Sequence, residues 1–216
     1  MPDSVVEMVL AGSGIDHESS VGARIFQFAA LLVKWNSRIN LISSTRPAVL
    51  VPLIQEAIWA AKRYPTNSSV HLDIGSGAGF PAIPLAIMHP GVEVAMLEGR
   101  AKKAAFLQTV AHDLQLGNVR VANQRLDEFL RVSPTPGPWQ CISWKAVRLS
   151  TRDFSRLLAA TAENTRFWLF HGAELPIENS TLIAESLDLR NREECPFHPG
   201  WFLSEFRRKT VSRETG

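Results

Sequence analysis

Three glycines at alternate positions, Gly75, Gly77 and Gly79, follow the short apolar run Val70-His71-Leu72-Asp73-Ile74, and Phe80-Pro81 closes the motif. Glycine carries no Cβ, so such a turn lets the backbone lie against a ligand at the carboxyl end of a strand, where open α/β sheets bind their ligands. A dinucleotide site wants G-x-G-x-x-G with free N–H groups that cradle a pyrophosphate. Here the third glycine comes one residue too soon, Phe80 occupies its place and Pro81 removes a donor. With Asp73 expected at its lip, the turn suits a cationic ligand without phosphate. S-adenosylmethionine (SAM), with its sulfonium and α-amino group, fits that description. Glu98 ends the next apolar run, 92–97, at the spacing where an acid meets ribose hydroxyls in a βαβ unit. The competing reading is a glycine turn in an unrelated α/β protein, with Glu98 a solvated strand end.

These residues need a sheet to hold them. Short apolar runs predict strands over 70–74, 92–97, 119–123, 140–144 and 167–170, separated by helices over 81–89, 101–114 and 152–162. That alternation is a doubly wound parallel sheet. Residues 182–189 and 201–208 alternate in polarity and flank Pro196, Pro199 and Gly200, which predicts a terminal hairpin. Upstream, 5–10 reads as a short amphipathic turn, and Ile25, Phe28, Leu32, Trp35 and Ile39 recur at helical spacing. Thr45-Arg46-Pro47 starts a second helix running toward Tyr64. The expected fold class is α/β, a class I SAM-dependent methyltransferase layout: a Rossmann-like, mostly parallel sheet with a C-terminal antiparallel hairpin. One domain is expected over 1–216, with an N-terminal helical extension over 1–66 packed on a SAM-binding core over 67–216. Residues 133–138 are expected as a loop near the ligand edge.

Composition sets outer limits. The 216 residues are 45% hydrophobic, enough for one substantial core. A formal net charge of +2 and a pI near 8.7 permit a nucleic-acid partner without requiring one. Cys141 and Cys195 lack CxxC spacing and read as packing residues, with no metal site expected. No run approaches the ~18 apolar residues of a membrane span, and the N-terminus has no signal-like pattern. A cytoplasmic protein without a membrane partner is expected.

Several segments carry a family resemblance: Lys34-Trp35-Asn36 with Asn40-Leu41, the run Asp73 through Pro81, Glu98 with Lys102-Lys103 and Phe106-Leu107, Asn118-Val119, Arg125-Leu126-Asp127-Glu128-Phe129, and Ile142-Ser143-Trp144-Lys145-Ala146-Val147. From Lys34 to about Gly172 the chain resembles the bacterial ribosomal RNA small subunit methyltransferase G family, also known as glucose-inhibited division protein B. The resemblance implies methyl transfer from SAM to N7 of a guanine in 16S rRNA, with small-subunit rRNA or the subunit as partner; a monomer is expected. It also implies SAM contacts from Gly75, Phe80, Leu126, Asp127 and Lys145. Three positions depart from the family pattern: Pro52-Leu53 stands for an Arg-His pair before Glu56, Lys145-Ala146 for Arg-Ala, and His171-Gly172 for Lys-Gly.

Guanine N7 carries an exposed lone pair and no proton, so attack on the sulfonium methyl needs alignment more than a general base. No catalytic residue is therefore assigned. The positioning candidates are Lys145, Trp144 and Glu56: Phe80, Trp139 and Trp144 could stack on the base, and Glu56 could accept from its Watson–Crick edge. Against this, the aromatics read equally as packing residues, Glu56 as a solvated helix residue, and His171 as a satisfied histidine. Arg24, Lys34, Arg38, Arg148, Arg152, Arg156 and Arg207-Arg208-Lys209 could track phosphates, with Arg148, Arg152 and Arg156 expected on one helix face. The alternative functions are a divergent paralogue methylating another RNA or a small molecule, and a SAM-binding protein without activity.

Overall fold

The computed structural model describes residues 8–9, 12–65, 67–132, 137–175 and 180–209. Seven strands form one sheet: β1 (Val70–Ile74), β2 (Glu93–Leu97), β3 (Val119–Ala122), β4 (Cys141–Lys145), β5 (Arg166–His171), β6 (Leu187–Glu194) and β7 (Phe202–Arg208). Their order is β3-β2-β1-β4-β5-β7-β6. The first five pair in parallel, and β7 runs antiparallel between β5 and β6. Strands β1, β4 and β5 are buried along nearly their whole length because helices cover both faces, which is why they read as continuous apolar runs.

Helix α1 (Ser20–Asn36) starts where the Ser19 hydroxyl accepts from the Gly22 N–H at 3.0 Å, and it buries Ile25, Phe28 and Leu32. Helix α2 (Pro47–Ala61) opens on Pro47, whose missing N–H costs nothing there, and carries Pro52 in its second turn. Both pack with α3 (Ala82–Met88) and α4 (Ala101–Asp113) into one apolar cluster that includes Phe28, Ile54, Ile83 and Phe106. On the other face, α5 (Leu126–Val132), α6 (Thr151–Ala159) and α7 (Ser180–Ser186) surround Trp144, Phe154 and Phe167. Among the described residues, no helix is long and apolar enough to cross a membrane.

The expected hairpin is present, but its first strand is displaced. Residues 180–186 form α7, and pairing begins only at Leu187. Ile183 and Leu187 stand four apart and share one buried face, so a helical turn serves the core better there than a strand. Strand β6 is mostly exposed beyond Leu187 and is held by its ladder to β7, with an irregularity between Leu189 and Asn191. Helix α5 was not expected from periodicity. Of the N-terminal turn over 5–10, only Met8 and Val9 are among the described residues.

Of the loop expected near the ligand edge over 133–138, only Gly137 and Pro138 are described, and they lie at the opposite edge. Residues 133–136 lie outside the described residues, but the Gly137 N–H donates to the Ala160 carbonyl and the Trp139 carbonyl accepts from Thr165 Oγ. This segment feeds the amino end of β4, because in a parallel sheet each strand is entered from the edge opposite its ligand end. Arg207 pairs with Arg166 at the start of β5, so the basic run that ends β7 also faces away from the carboxyl edge.

Candidate functional site

The chain leaves β1 through Gly75, Gly77 and Gly79, whose φ angles of 70°, 54° and 89° lie in the left-handed region. At Gly75 a Cβ would overlap the Val147 side chain, and at Gly79 it would stand 2.7 Å from Ile83 Cγ1. Both positions therefore need glycine for space as well as conformation. The Gly75 and Ser76 N–H groups donate to the Leu97 carbonyl at 2.7 and 3.1 Å, which fixes the turn on the end of β2. Glu98, only 6% exposed, accepts from the Gly77 N–H at 2.9 Å with one carboxylate oxygen and from the Arg100 N–H at 2.8 Å with the other. Each oxygen keeps a lone pair for a further donor.

The turn borders a cavity of about 430 Å³ lined by Gly75, Gly77, Phe80, Glu98, Arg100 and Lys103 on one side and by Leu41, Ile42 and Leu53 from the helical segment on another. Lys145, Ala146 and Val147 complete the wall. A smaller pocket of about 220 Å³, lined by Leu126 and Asp127, shares Gly75 and Val147 with it. Of the residues expected to bind SAM, Gly75, Gly77, Phe80, Glu98 and Lys145 thus meet on one cavity, Leu126 and Asp127 adjoin it, and Gly79 stands behind the turn against Ile83. Phe80 is 8% exposed and meets Phe28 edge-on at 5.3 Å, so it forms a wall.

Lys145 ends β4, and its Nζ donates to Glu56 Oε1 at 2.6 Å. The other Glu56 oxygen stands 3.3 Å from Nδ1 of His198, in the β6–β7 connection. Glu56 is therefore a buried carboxylate held between the Lys145 ammonium and the His198 imidazole, not a solvated residue, and both its oxygens are engaged. Ala146, the next residue, has φ 56°, a conformation sparsely populated by non-glycine residues and held here at the cavity wall.

Asp73 is not at the lip. It lies under the floor, 1% exposed, accepting from Ser143 Oγ at 2.5 Å with one oxygen while the other has no partner among the described residues. Burial raises its pKa to about 6, partly offset by the Ser143 hydrogen bond. Ser143 has one proton, so with Asp73 ionised it accepts from His71 Nε2–H at 2.9 Å, and burial lowers the His71 pKa to about 3.

The aromatic and basic candidates are corrected, whereas His171 and the two cysteines sit as packed, satisfied groups. Trp144 is fully buried between Phe154 and Phe167, and Trp139 packs on Phe129 at the amino edge, so neither can stack on a substrate base. His171 is buried and bonded through Nε2 to Ser204 Oγ and through Nδ1 to the Gly172 carbonyl, with burial lowering its pKa. Arg148 precedes α6, leaving only Arg152 and Arg156 on that helix face. Arg24, Lys34 and Arg38 do not line the cavity, whereas Arg100 does. Arg100 could have been found by its place two residues after Glu98. His198 had no comparable signal, because it stands 142 positions from Glu56. Cys141 and Cys195 are buried free thiols, and burial pushes both pKa values up. Among the described residues, no group of three His, Cys, Asp or Glu is placed to hold a metal.

The architecture is shared with known methyltransferases. Mitomycin 7-O-methyltransferase MmcR superposes with a TM-score of 0.57 at 14% identity, covering 89% of this chain and 70% of its own. TYW2 from M. jannaschii, solved in complex with AdoMet, superposes at 0.55 and 19% identity over 78% of this chain and 79% of its own. Proteins named ribosomal RNA small subunit methyltransferase G are similar in sequence. The Pseudomonas putida protein is 32% identical over 125 residues, 57% of this chain and 58% of the relative. The Chloroflexus aggregans protein is 35% identical over 117 residues, 54% of this chain and 49% of the relative. The similarity thus spans about half the length of these curated relatives. A family model described as GidB, rRNA small subunit methyltransferase G, matches residues 22–189. With the match running from α1 into β6 and taking in the whole cavity wall, the chain belongs to the rRNA small subunit methyltransferase G (GidB) family.

Proposed function

We propose that this chain transfers the methyl group of SAM to N7 of a guanine in 16S rRNA. The observation that carries the reading is Glu98, fixed by two backbone N–H groups beside a glycine turn and bordering an open cavity. A Cβ on Gly77 would find only the Gly75 carbonyl within 4 Å, so this stretch of backbone is open to close approach by a ligand. In this assignment Glu98 accepts from the ribose hydroxyls, Gly75 and Gly77 give the close backbone approach, and Gly79 lets the turn close on Ile83. Phe80 walls the pocket, Leu126 and Asp127 hold the adenine end, and Lys145 neutralises the carboxylate end with N–H bonds left over from Glu56.

SAM supplies an electrophilic methyl on a sulfonium. The chain's own residues bind, orient and exclude water. The cavity lining contains no histidine or cysteine, and the guanine N7 lone pair needs no base to free it. The reading carries with it a monomeric enzyme acting in the cytoplasm on small-subunit rRNA, with 1–66 and 67–216 as parts of one domain.

The test is transfer of labelled methyl from SAM to small subunits, large subunits, naked rRNA and protein extract, followed by borohydride and aniline cleavage at N7-methylguanine. Label should appear in small-subunit rRNA that is then cut. Label confined to large subunits or protein, or rRNA that resists cleavage, overturns the assignment. Glu98→Ala should weaken SAM binding by about 1.5–3 kcal/mol in calorimetry, the range for hydrogen bonds to a charged group. An unchanged dissociation constant would remove Glu98 from the site.

A further inference from the structure

Beyond the cofactor cavity, a second opening of about 390 Å³ lies between α5 and α6, lined by Arg125, Arg131, Arg152 and Arg156 together with Asp127 and Asp153. Four guanidinium groups face two carboxylates, and both carboxylates are already engaged. Asp127 stands 3.2 Å from Arg131 and 3.8 Å from Arg125. Asp153 accepts from Ser150 Oγ at 2.8 Å, and the same hydroxyl accepts the Asp153 N–H to cap α6. Arg152 and Arg156 are left exposed with no ion pair among the described residues. They stand one turn apart on a helix whose other face buries Phe154, Leu157 and Leu158. Like charges at this spacing disfavour a helix by a few tenths of a kcal/mol, and among the described residues neither guanidinium forms an ion pair that would offset it. An external anion would.

The position of the groove identifies the anion. Arg125, Asp127 and Asp153 are shared with the small pocket that reaches Gly75 and Val147, and this pocket also carries Arg148. Cations therefore continue along the carboxyl edge from the cofactor cavity, lined by Arg100 and Lys103, to α6. A ligand confined to the cavity meets only the first of them, whereas a polyanion several residues long meets them all. Resting on the reading that the acceptor is rRNA, we propose that Arg152 and Arg156, with Arg125 beside them, bind phosphodiester groups of the RNA strand that flanks the target guanine.

The experiment uses the full chain and in vitro transcribed 16S rRNA, with affinity measured as a function of salt. The Arg152→Ala/Arg156→Ala variant should bind this RNA about tenfold or more weakly at 0.1 M salt, and the slope of log affinity against log salt should fall by about 1.4, two single-stranded phosphate contacts' worth. Its SAM dissociation constant and melting temperature should match the parent chain, which separates lost RNA contact from lost fold. Arg120→Ala/Arg190→Ala removes the same charge elsewhere and should change the slope little. Equal RNA affinity and slope in parent and groove variant would overturn the proposal, as would a melting shift with inorganic tripolyphosphate that the groove variant loses while RNA binding stays intact. Failure of the groove is distinct from failure of the function: in the first case the parent chain still methylates small-subunit rRNA and the groove variant does so equally well, and in the second the parent chain does not.

Discussion

The two ends of the cavity beside the glycine turn are built from different materials. At the glycine turn the backbone sets the geometry: Gly75 and Ser76 donate to the Leu97 carbonyl, and Gly77 and Arg100 donate to the Glu98 carboxylate, so every donor is a main-chain N–H. At the other end, side chains from three distant segments meet: Glu56 on α2, Lys145 on β4 and His198 between β6 and β7. The first arrangement stores its cost in positive φ angles and is rigid before any ligand arrives. The second stores its cost in desolvation and side-chain entropy, and its bonds can be exchanged. An ammonium has three donors, so Lys145 can keep Glu56 while taking a second acceptor. One end defines where a ligand sits, and the other can answer to what is bound.

The largest effect should come from breaking the rigid end. Gly75→Ala places a Cβ against Val147 at a φ of 70°. The left-handed conformation costs an alanine about 1–2 kcal/mol and overpacking typically about 1–3 more, so a loss of about 2–5 kcal/mol is expected in urea denaturation. Relief by Val147→Ala in the double variant would show that the overlap, and not the φ angle, dominates. A Gly75→Ala protein of parental stability would mean that the turn adapts and that the contrast between the two ends is wrong.

Next comes the exchangeable end. Glu56→Ala leaves the Lys145 ammonium, 13% exposed, without its carboxylate. Breaking a buried pair costs about 3–5 kcal/mol, and the residual exposure of Lys145 puts the expectation at about 3. Removing both partners should cost less than the sum of the single changes, because the double variant buries no lone charge. Additive losses in that cycle would show that the pair contributes nothing as a pair.

The same contrast explains what could be read from the sequence. The glycine turn, Glu98 and the parallel sheet were legible because their partners lie within one βαβ unit and the strands bury both faces. The Lys145–Glu56–His198 cluster was not, because Glu56 and His198 stand 142 positions apart and only the whole fold encodes their meeting. Trp144 failed as a stacking candidate for a related reason. Alternation along β4 places Lys145 at the cavity and turns Trp144 to the opposite face, toward Phe154. Residues 182–186 misled because a short apolar run does not distinguish one helical turn from a strand without its neighbours.

Asp73 lies beneath the floor between the two ends and offers the smallest test. Its pKa is raised by burial from 3.8 to about 6, so the folded chain holds a proton that the unfolded chain releases. Between those values the native state binds more protons, and stability from this group falls as pH rises. Below pH 3.8 the group contributes no penalty, and above pH 6 the penalty is complete, on the order of 3 kcal/mol at 1.36 kcal/mol per unit. His71, held near pKa 3, acts oppositely, since acid protonates it only in the unfolded chain, so the parent protein's own pH curve mixes the two. Asp73→Asn separates them. The amide oxygen can still accept from Ser143 Oγ, and the group no longer titrates. Relative to the parent, Asp73→Asn should gain stability between pH 4 and pH 7, read as a widening difference in urea midpoint. A difference that stays flat across that range would show that Asp73 is ionised in the folded chain as readily as in the unfolded one. The floor beneath both ends would then be wetter than its burial implies.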